Sequence, residues 1–187
     1  ENVLSAAFKS SGYFVFSTKE YMSRVRGGSN TTLIRISDSP IIAPCWHVDL
    51  FVALDSDALY HVQERITDST IVLADENTNL EQIVLTGIPM MRTAKELGSK
   101  NYANSYVAGV LFGMFSLESL ALSQSITMFF NEEDSQENER AMAEGVTYGR
   151  NLEIPHLPKL PETLLSAPDS MHLMDGSSAA GFGFLGG

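Results

Sequence analysis

The strongest constraint on the fold is the alternation of short apolar runs with helix-like segments in the first half of the chain. Residues 48–54 and 70–75 form two such runs, and the segment 58–66 between them has helical spacing. Apolar runs of this length that alternate with helical segments are typical of a parallel sheet with helices on its faces. The sequence therefore predicts an α/β fold with a Rossmann-like, doubly wound and mostly parallel sheet.

Further helices and strands before residue 100 fit the same scheme. Apolar residues at helical spacing predict a helix over residues 2–11, which Gly12 is placed to end. We expect Asp55 to cap the helix over 58–66, because a carboxylate accepts hydrogen bonds from the first backbone N–H groups of a helix. Other strands are predicted over residues 13–16, 31–36 and 88–91, with a helix from Thr93 after the last of them.

The second half of the chain has a helical pattern. Residues 103–115 are almost entirely apolar and predict a buried helix, in which Gly109 and Gly113 permit close packing against another helix. Ser116 is expected to cap the next helix, and a short acidic run to begin a third helix that reaches Arg150. The sheet is therefore predicted to be followed by a helical C-terminal part.

Prolines predict a domain boundary after the third of these helices. Four of them occur within 14 residues, a density typical of an extended linker: Pro155, Pro158, Pro161 and Pro168. We therefore expect an α/β domain over residues 1–150, a proline-rich linker over 151–172, and the start of a second domain over 173–187.

Composition and charge exclude several classes of protein. The formal net charge of −11 argues against nucleic acid as the main partner, because phosphate contacts require clustered cations. No apolar run approaches the roughly 20 residues that span a membrane. The single cysteine, Cys45, rules out an internal disulfide and an iron–sulfur cluster held by this chain alone, since a cluster needs about four thiolates. We expect a cytoplasmic protein without membrane contact.

A basic segment between the first two predicted strands is the main candidate binding site. It contains Arg24 and Arg26, followed by Gly27, Gly28 and Asn30. The planar fork of arginine suits carboxylates or phosphates, and a double glycine allows a positive φ or a close approach to a partner. A turn that only reverses the chain needs neither arginine. The segment is therefore predicted to bind a ligand or a partner, and the alternative is a solvated basic hairpin loop.

Other motifs in the sequence lack the context that their chemistry requires. Cys45-Trp46-His47 sets a thiol beside an imidazole, but neighbours along a strand point to opposite faces. We therefore expect a partly buried connection there and not a catalytic pair. The run 181–186 spells G-x-G-x-x-G after a proline-rich stretch, whereas the dinucleotide-binding fingerprint follows a strand.

Carboxylates near the predicted strand ends are the remaining candidates. Asp49, Asp55, Asp57 and Asp75 are expected near the edge of the sheet where such folds bind ligands. No histidine has metal-ligand spacing, and no G-x-S-x-G motif is present. We therefore predict no catalytic residue and no metal ligand, and expect the chain by itself to be inactive.

The segment 20–30 resembles a motif of one enzyme family. It is similar to the Glu-Tyr…Arg-x-Arg-Gly-Gly-x-Asn segment in the gamma domain of the 2-oxoacid:ferredoxin (or flavodoxin) oxidoreductases, in the form in which gamma is fused ahead of alpha. The resemblance extends in order over about residues 1–150, and the run 174–181 is similar to the opening of the thiamine-dependent alpha domain. The N-terminal strand and Gly-x-Gly-Gly-x-Gly turn of the family are absent, so we expect the chain to be part of a longer one.

The resemblance implies a complex of anaerobic metabolism that oxidatively decarboxylates a 2-oxoacid such as pyruvate or ketoisovalerate. The complex would form an acyl-CoA and pass electrons to ferredoxin or flavodoxin. Thiamine diphosphate, Mg and iron–sulfur clusters are then expected on other domains or subunits, with alpha and beta as partners in an oligomer.

The same resemblance implies a non-catalytic role for the gamma domain, which would help to enclose coenzyme A and to assemble the complex. Arg24 and Arg26 would meet CoA phosphates or acidic groups of a neighbouring subunit, while Gly27, Gly28 and Asn30 shape the loop. Two alternatives remain open: a stand-alone Rossmann-like nucleotide-binding module and a purely structural assembly domain.

Overall fold

The described part of the chain forms two sheets and a helical C-terminal half. In the computed structural model, the described residues are 1–21, 30–55, 57–78, 83–162 and 172–186. The strands are β1 (Phe14–Tyr21), β2 (Asn30–Ser37), β3 (Leu50–Ala53), β4 (Ile71–Asp75) and β5 (Leu85–Ile88). The α-helices are α1 (Asn2–Ser10), α2 (Ala58–Val62), α3 (Met90–Glu96), α4 (Ala103–Met114), α5 (Ser119–Phe129), α6 (Glu132–Arg150) and α7 (Gly176–Gly186), with 3₁₀ turns at Gln63–Arg65 and Lys100–Tyr102.

The three-stranded sheet is parallel, with strand order β3-β4-β5. Its central strand is buried on both faces, since Val72, Leu73 and Ala74 are at most 2% exposed. A strand that is covered on both sides needs apolar residues on both, which is why it reads as a continuous apolar run. The predicted α/β class with a parallel sheet is confirmed.

The other sheet is a hairpin in which β1 and β2 pair in antiparallel fashion along eight residues each. Only residues 22–29 connect the two strands, whereas a parallel connection needs about a dozen residues or more. Both strands extend beyond the predicted runs over 13–16 and 31–36, because cross-strand pairing stabilises the polar residues near the end of the hairpin. The last pair at that end is Tyr21 with Asn30.

Helix α1 agrees with the helix that the sequence predicts at this position. The chain leaves it through Gly12, whose φ of +92° favours glycine. Ala7 and Phe8 are buried on its inner face, and the ring centroid of Phe8 lies 5.2 Å from that of Phe112 on α4. This contact joins the start of the chain to its helical half.

The start of α3 differs from the prediction. We expected a strand over 88–91 and a helix from Thr93, but β5 and α3 both lie earlier in the chain. The backbone N–H of Met91 donates to Oδ2 of Asp75 at 2.8 Å. A side chain from another strand thus satisfies an N–H group of the first helical turn, and the helix begins ahead of Thr93.

Ser116 does not cap α5 as predicted, because it ends α4. Its φ is +53°, and its N–H donates to the carbonyl of Gly113 while the N–H of Leu117 donates to the carbonyl of Phe112. These two bonds and the left-handed residue form a Schellman-type C-cap. Helix α5 therefore begins only at Ser119.

Helices α4 and α6 lie in backbone contact, as the two glycines of α4 predict. A Cβ atom on Gly109 would collide with the carbonyl oxygen of Met142, and a Cβ on Gly113 with that of Val146. The contact is reciprocal, because Gly145 and Gly149 of α6 face the backbone of α4 in the same way. Glycine Cα–H groups here point at carbonyl oxygens of the facing helix, a weak but recurrent attraction between close helices.

The segment after α6 lies partly against the domain. Residues 151–162 form neither helix nor strand, yet Leu152, Ile154 and Leu157 pack against the core around α4 and α6. Farther on, the N–H of Ser178 in α7 donates to Oδ1 of Asp175 at 2.8 Å. Among the described helices, none combines the length and the hydropathy that crossing a bilayer requires.

Candidate functional site

The predicted binding segment is only partly within the described residues. Arg24, Arg26, Gly27 and Gly28 lie outside them. Asn30 is described: it is exposed, it begins β2, and it faces Tyr21 across the hairpin. The observable part of the candidate site is therefore the end of the hairpin next to the connecting residues 22–29. The strand pairs at this end, Glu20 with Thr31 and Tyr21 with Asn30, are here called the hairpin base.

A cleft of about 430 Å³ lies beside this end of the hairpin. It is bordered by α1, by both strands and by the end of α5, and its lining includes Tyr21, Asn30 and Phe129. Lys19 also lines the cleft, with its Nζ atom 2.9 Å from Oε2 of Glu1. Because this described cation already has a carboxylate partner, the cleft wall offers mainly aromatic and neutral polar groups.

A network that the sequence did not predict holds the hairpin base against the rest of the domain. Nη2 of Arg65 donates to both carboxylate oxygens of Glu20, at 2.8 and 2.9 Å, and Oγ1 of Thr31 donates to Oε2 at 3.2 Å. Hydrogen bonding to Arg65 is the main cause that lowers the pKa of Glu20. Since Arg65 lies just before β4, this ion pair links the hairpin to the parallel sheet.

Trp46 contacts the same guanidinium group. The Arg65 Cζ atom is 4.9 Å from the centroid of the indole ring, which is within the range of a cation–π contact. The Arg65 side chain is only 16% exposed, whereas Trp46 remains 56% exposed. The expectation of a partly buried connection at Cys45-Trp46-His47 is wrong, since all three residues are exposed and Trp46 rests on an ion-paired arginine.

Two of the four aspartates serve as helix caps. Oδ1 of Asp55 accepts the N–H of Ala58 at 2.7 Å, which confirms its predicted role at the start of α2. Asp75 accepts the N–H of Met91 and also both a backbone and a side-chain N–H of Asn77. Burial raises the pKa of Asp75, but these hydrogen bonds and the charge of Lys95 outweigh it, so that the pKa lies below its usual value.

The four aspartates do not gather at one edge of the sheet. Asp49 precedes β3 and its carbonyl accepts the N–H of Ile71, so it lies at the amino edge. Asp55, Asp57 and Asp75 lie at the carboxyl edge. Within the described ranges, no group of three or more His, Cys, Asp or Glu side chains is arranged to hold a metal ion.

A second cleft, of about 630 Å³, opens at the carboxyl end of β5 between α3, α4 and α6. Arg92 and Arg140 line it, as do Tyr106 and Tyr148, whose ring centroids are 6.1 Å apart. Burial is the main cause that raises the pKa of Tyr106 to about 12. Sequence reasoning missed this cleft, because its residues come from three separate helices.

Known proteins share both sequence and fold with this chain. The alpha subunit of a 2-oxoacid:ferredoxin oxidoreductase from Saccharolobus solfataricus is 25% identical over 83 residues, or 44% of this chain and 13% of that subunit. The related subunit from Sulfolobus sp. is 23% identical over 111 residues, or 59% of this chain and 18% of that subunit. The chain thus spans less than a fifth of the curated relatives that it matches.

Among solved structures, the 2-oxoglutarate:ferredoxin oxidoreductase from Magnetococcus marinus, with 2-oxoglutarate, coenzyme A and succinyl-CoA bound, matches with a TM-score of 0.76 at 21% identity. The match covers 86% of this chain and 30% of that one. The gamma subunit of a keto/oxoacid ferredoxin oxidoreductase from Geobacter sulfurreducens matches with a TM-score of 0.64 at 18% identity, over 80% of this chain and 89% of that one. These neighbours share the fold of this domain.

The family assignment rests on the sequence as well as on the fold. A family model described as pyruvate ferredoxin/flavodoxin oxidoreductase matches residues 1–148, which include both sheets and the helices α1 to α5 with nearly all of α6. The resemblance to the 2-oxoacid:ferredoxin (or flavodoxin) oxidoreductases that the segment 20–30 suggested is thereby confirmed. This chain belongs to the pyruvate ferredoxin/flavodoxin oxidoreductase family.

Proposed function

We propose that this chain is the gamma component of a 2-oxoacid:ferredoxin oxidoreductase. The complex would oxidatively decarboxylate a 2-oxoacid to an acyl-CoA and pass the electrons to ferredoxin or flavodoxin. The gamma domain itself is non-catalytic in this proposal, and it helps to enclose coenzyme A and to assemble the complex. The observation that carries the proposal is the family match over residues 1–148, supported by a shared fold with an oxidoreductase that has coenzyme A bound.

The Glu20–Arg65 pair supports a binding role for Arg24 and Arg26. Glu20 is the acidic residue nearest to them in the sequence, and its carboxylate is already engaged by Arg65 at 2.8 Å. Glu20 is thus compensated by Arg65 and is not a competitor for the two arginines, which we propose bind phosphates or carboxylates of a partner. Gly27, Gly28 and Asn30 complete the proposed contact segment.

The cofactors of electron transfer are proposed to lie elsewhere in the complex. An iron–sulfur cluster needs about four thiolates, and this chain has one cysteine. The iron–sulfur clusters are therefore assigned to the alpha and beta subunits or domains, and the family resemblance implies the same place for thiamine diphosphate with Mg. In the cytoplasmic oligomer that we propose, this chain contributes binding surface and not redox chemistry.

The test is an Arg24→Ala/Arg26→Ala double variant of the complete complex. We expect the KM for CoA to rise about tenfold or more, since each lost charge-assisted hydrogen bond is worth roughly 1.5–3 kcal/mol. The KM for the 2-oxoacid should be unchanged. Lys100→Ala/Lys159→Ala is the matched control, because it removes two exposed positive charges outside the hairpin.

Other outcomes would favour the alternative functions. An unchanged KM for CoA together with weaker subunit association, measured by analytical ultracentrifugation, would favour a purely structural assembly domain. Calorimetry that detects tight NAD binding and no CoA binding to the complex would instead favour a Rossmann-like nucleotide-binding module. Either result would overturn the proposed role of Arg24 and Arg26 in CoA binding.

A further inference from the structure

The loop formed by residues 39–48, here called the 39–48 loop, is uncharged and exposed over most of its length. It contains no Asp, Glu, Lys or Arg, although charged residues make up 19% of the protein. Depletion of charge together with an aromatic residue is the compositional signature of the core of a protein–protein interface. The loop also carries two prolines, Pro40 and Pro44, which limit the conformations of the unbound chain.

The 39–48 loop exposes two large apolar side chains to solvent. Ile42 is 94% exposed and Trp46 is 56% exposed. Scattered apolar residues on a surface need no explanation, but these two lie four positions apart on one uncharged loop. Apolar area of this kind becomes favourable only when something covers it.

Contacts with neighbouring segments hold the 39–48 loop in place while Ile42 and Trp46 remain exposed. Nη1 of Arg35 donates to the carbonyl oxygen of Ala43 at 2.9 Å. Oγ1 of Thr70 donates to the carbonyl oxygen of Val48 at 2.7 Å. The guanidinium of Arg65, itself bound to Glu20, supports the indole of Trp46. A surface that is ordered before binding loses less conformational entropy when a partner docks.

We propose that the 39–48 loop is a docking surface for the alpha domain of the oxidoreductase, with Trp46 and Ile42 as its anchors. This inference rests on the proposed function. The occupant is chosen because the matched region accounts for only 30% of the solved oxidoreductase chain and 13% of the alpha-subunit relative, so those chains contain a large further part. The docking site on alpha is apolar, to match a loop without charges.

Cys45 provides a direct probe of this surface, because it is an exposed free thiol next to Trp46. The experiment labels the complete complex with iodoacetamide and follows the Cys45 peptide by mass spectrometry. The rate is divided by the rate for the same protein in urea, which removes differences in intrinsic reactivity. We expect the labelling rate of Cys45 in the assembled complex to be about a tenth of the rate in urea or lower, since an interface core excludes solvent.

A pair of matched variants connects the protection to the apolar anchors. Ile42→Ser should raise the labelling rate of Cys45 about tenfold, because loss of a central anchor weakens docking by about that factor or more. Val84→Ser is the control, since Val84 is 95% exposed and lies outside the loop. Both side chains are almost fully exposed in the domain, so neither substitution removes a core contact.

Three results would overturn the docking proposal. The first is a Cys45 labelling rate in the complex equal to that in urea, and the second is an equal rate for Ile42→Ser and Val84→Ser. The third is crosslinking of two Cys45 residues by a bismaleimide, which would identify a second copy of this chain as the occupant. These results leave the CoA dependence of the Arg24/Arg26 variant untouched, so failure of the docking surface and failure of the proposed function are distinguishable.

Discussion

Two contacts hold this domain together by opposite means. The α4–α6 contact is built from backbone: glycines on each helix face carbonyl oxygens on the other. The hairpin base is instead joined to the parallel sheet by long polar side chains, with Arg65 between Glu20 and Trp46. The helix contact tolerates no added atom. At the Arg65 junction, by contrast, water can take the place of a side-chain atom that is removed. We therefore expect a rigid helical core and a weaker junction beside the proposed binding segment.

The largest expected effect comes from adding one methyl group to the helix contact. In Gly145→Ala, the new Cβ collides with the carbonyl oxygen of Tyr106. We expect the free energy of unfolding to fall by about 3 kcal/mol, the upper part of the usual overpacking range, although alanine favours a helix by about 1 kcal/mol over glycine. Urea denaturation followed by circular dichroism measures the change.

The control for this prediction is Gly176→Ala, because nothing lies within 4 Å of the Cβ position at Gly176. That variant should be neutral or slightly more stable. Equal stability of Gly145→Ala and the wild type would mean that α4 and α6 separate at little cost, and the contrast with the hairpin junction would be lost.

A smaller effect is expected at the polar junction. Arg65→Lys keeps the positive charge but loses the planar group that stacks on Trp46, so the free energy of unfolding should fall by about 1 kcal/mol. Trp46 is the only tryptophan, so its fluorescence should also become more sensitive to quenching by acrylamide. Arg140→Lys is the control, because Arg140 is exposed and lies 3.7 Å from Glu144; neither readout should change.

The smallest effect concerns pH. Because the pKa of Glu20 is lowered in the folded protein, its ion pair adds stability above the usual glutamate pKa and loses it as the pH falls through the folded value. The wild type should therefore lose more stability than Glu20→Gln between pH 7 and pH 3, by less than about 1 kcal/mol because the Glu20 side chain is 47% exposed. Urea denaturation at both pH values measures it, and the difference should disappear in an Arg65→Met background.

Sequence patterns predicted the elements whose signal is local. The continuous apolar run of β4 and the helical spacing in α1 indicated those elements directly, and the glycine pair in α4 indicated a close helix contact. The patterns failed where a distant group decides the boundary. Asp75 satisfies the first turn of α3 from another strand, and Ser116 ends one helix instead of beginning the next.

The residues of the candidate site likewise fall into two groups, those that the sequence indicated and those that only the structure revealed. The segment around Arg24 and Arg26 was recognisable because arginines beside a double glycine are unusual in so acidic a chain. Arg65 could not be recognised, because it lies 45 positions from Glu20 and its role depends on how the hairpin meets the sheet. No short-range pattern encodes a contact between residues that are so far apart in the chain.

The sequence by itself determined the α/β class, the parallel strands, the helical second half and the family. These follow from periodicity and from short motifs, which are properties of neighbouring residues. Only the tertiary structure decided that β1 and β2 form a separate antiparallel hairpin, that Glu20, Arg65 and Trp46 meet, and that the 39–48 loop faces solvent. The physical reason is that pairing, ion-pair partners and exposure are set by which distant segments pack together.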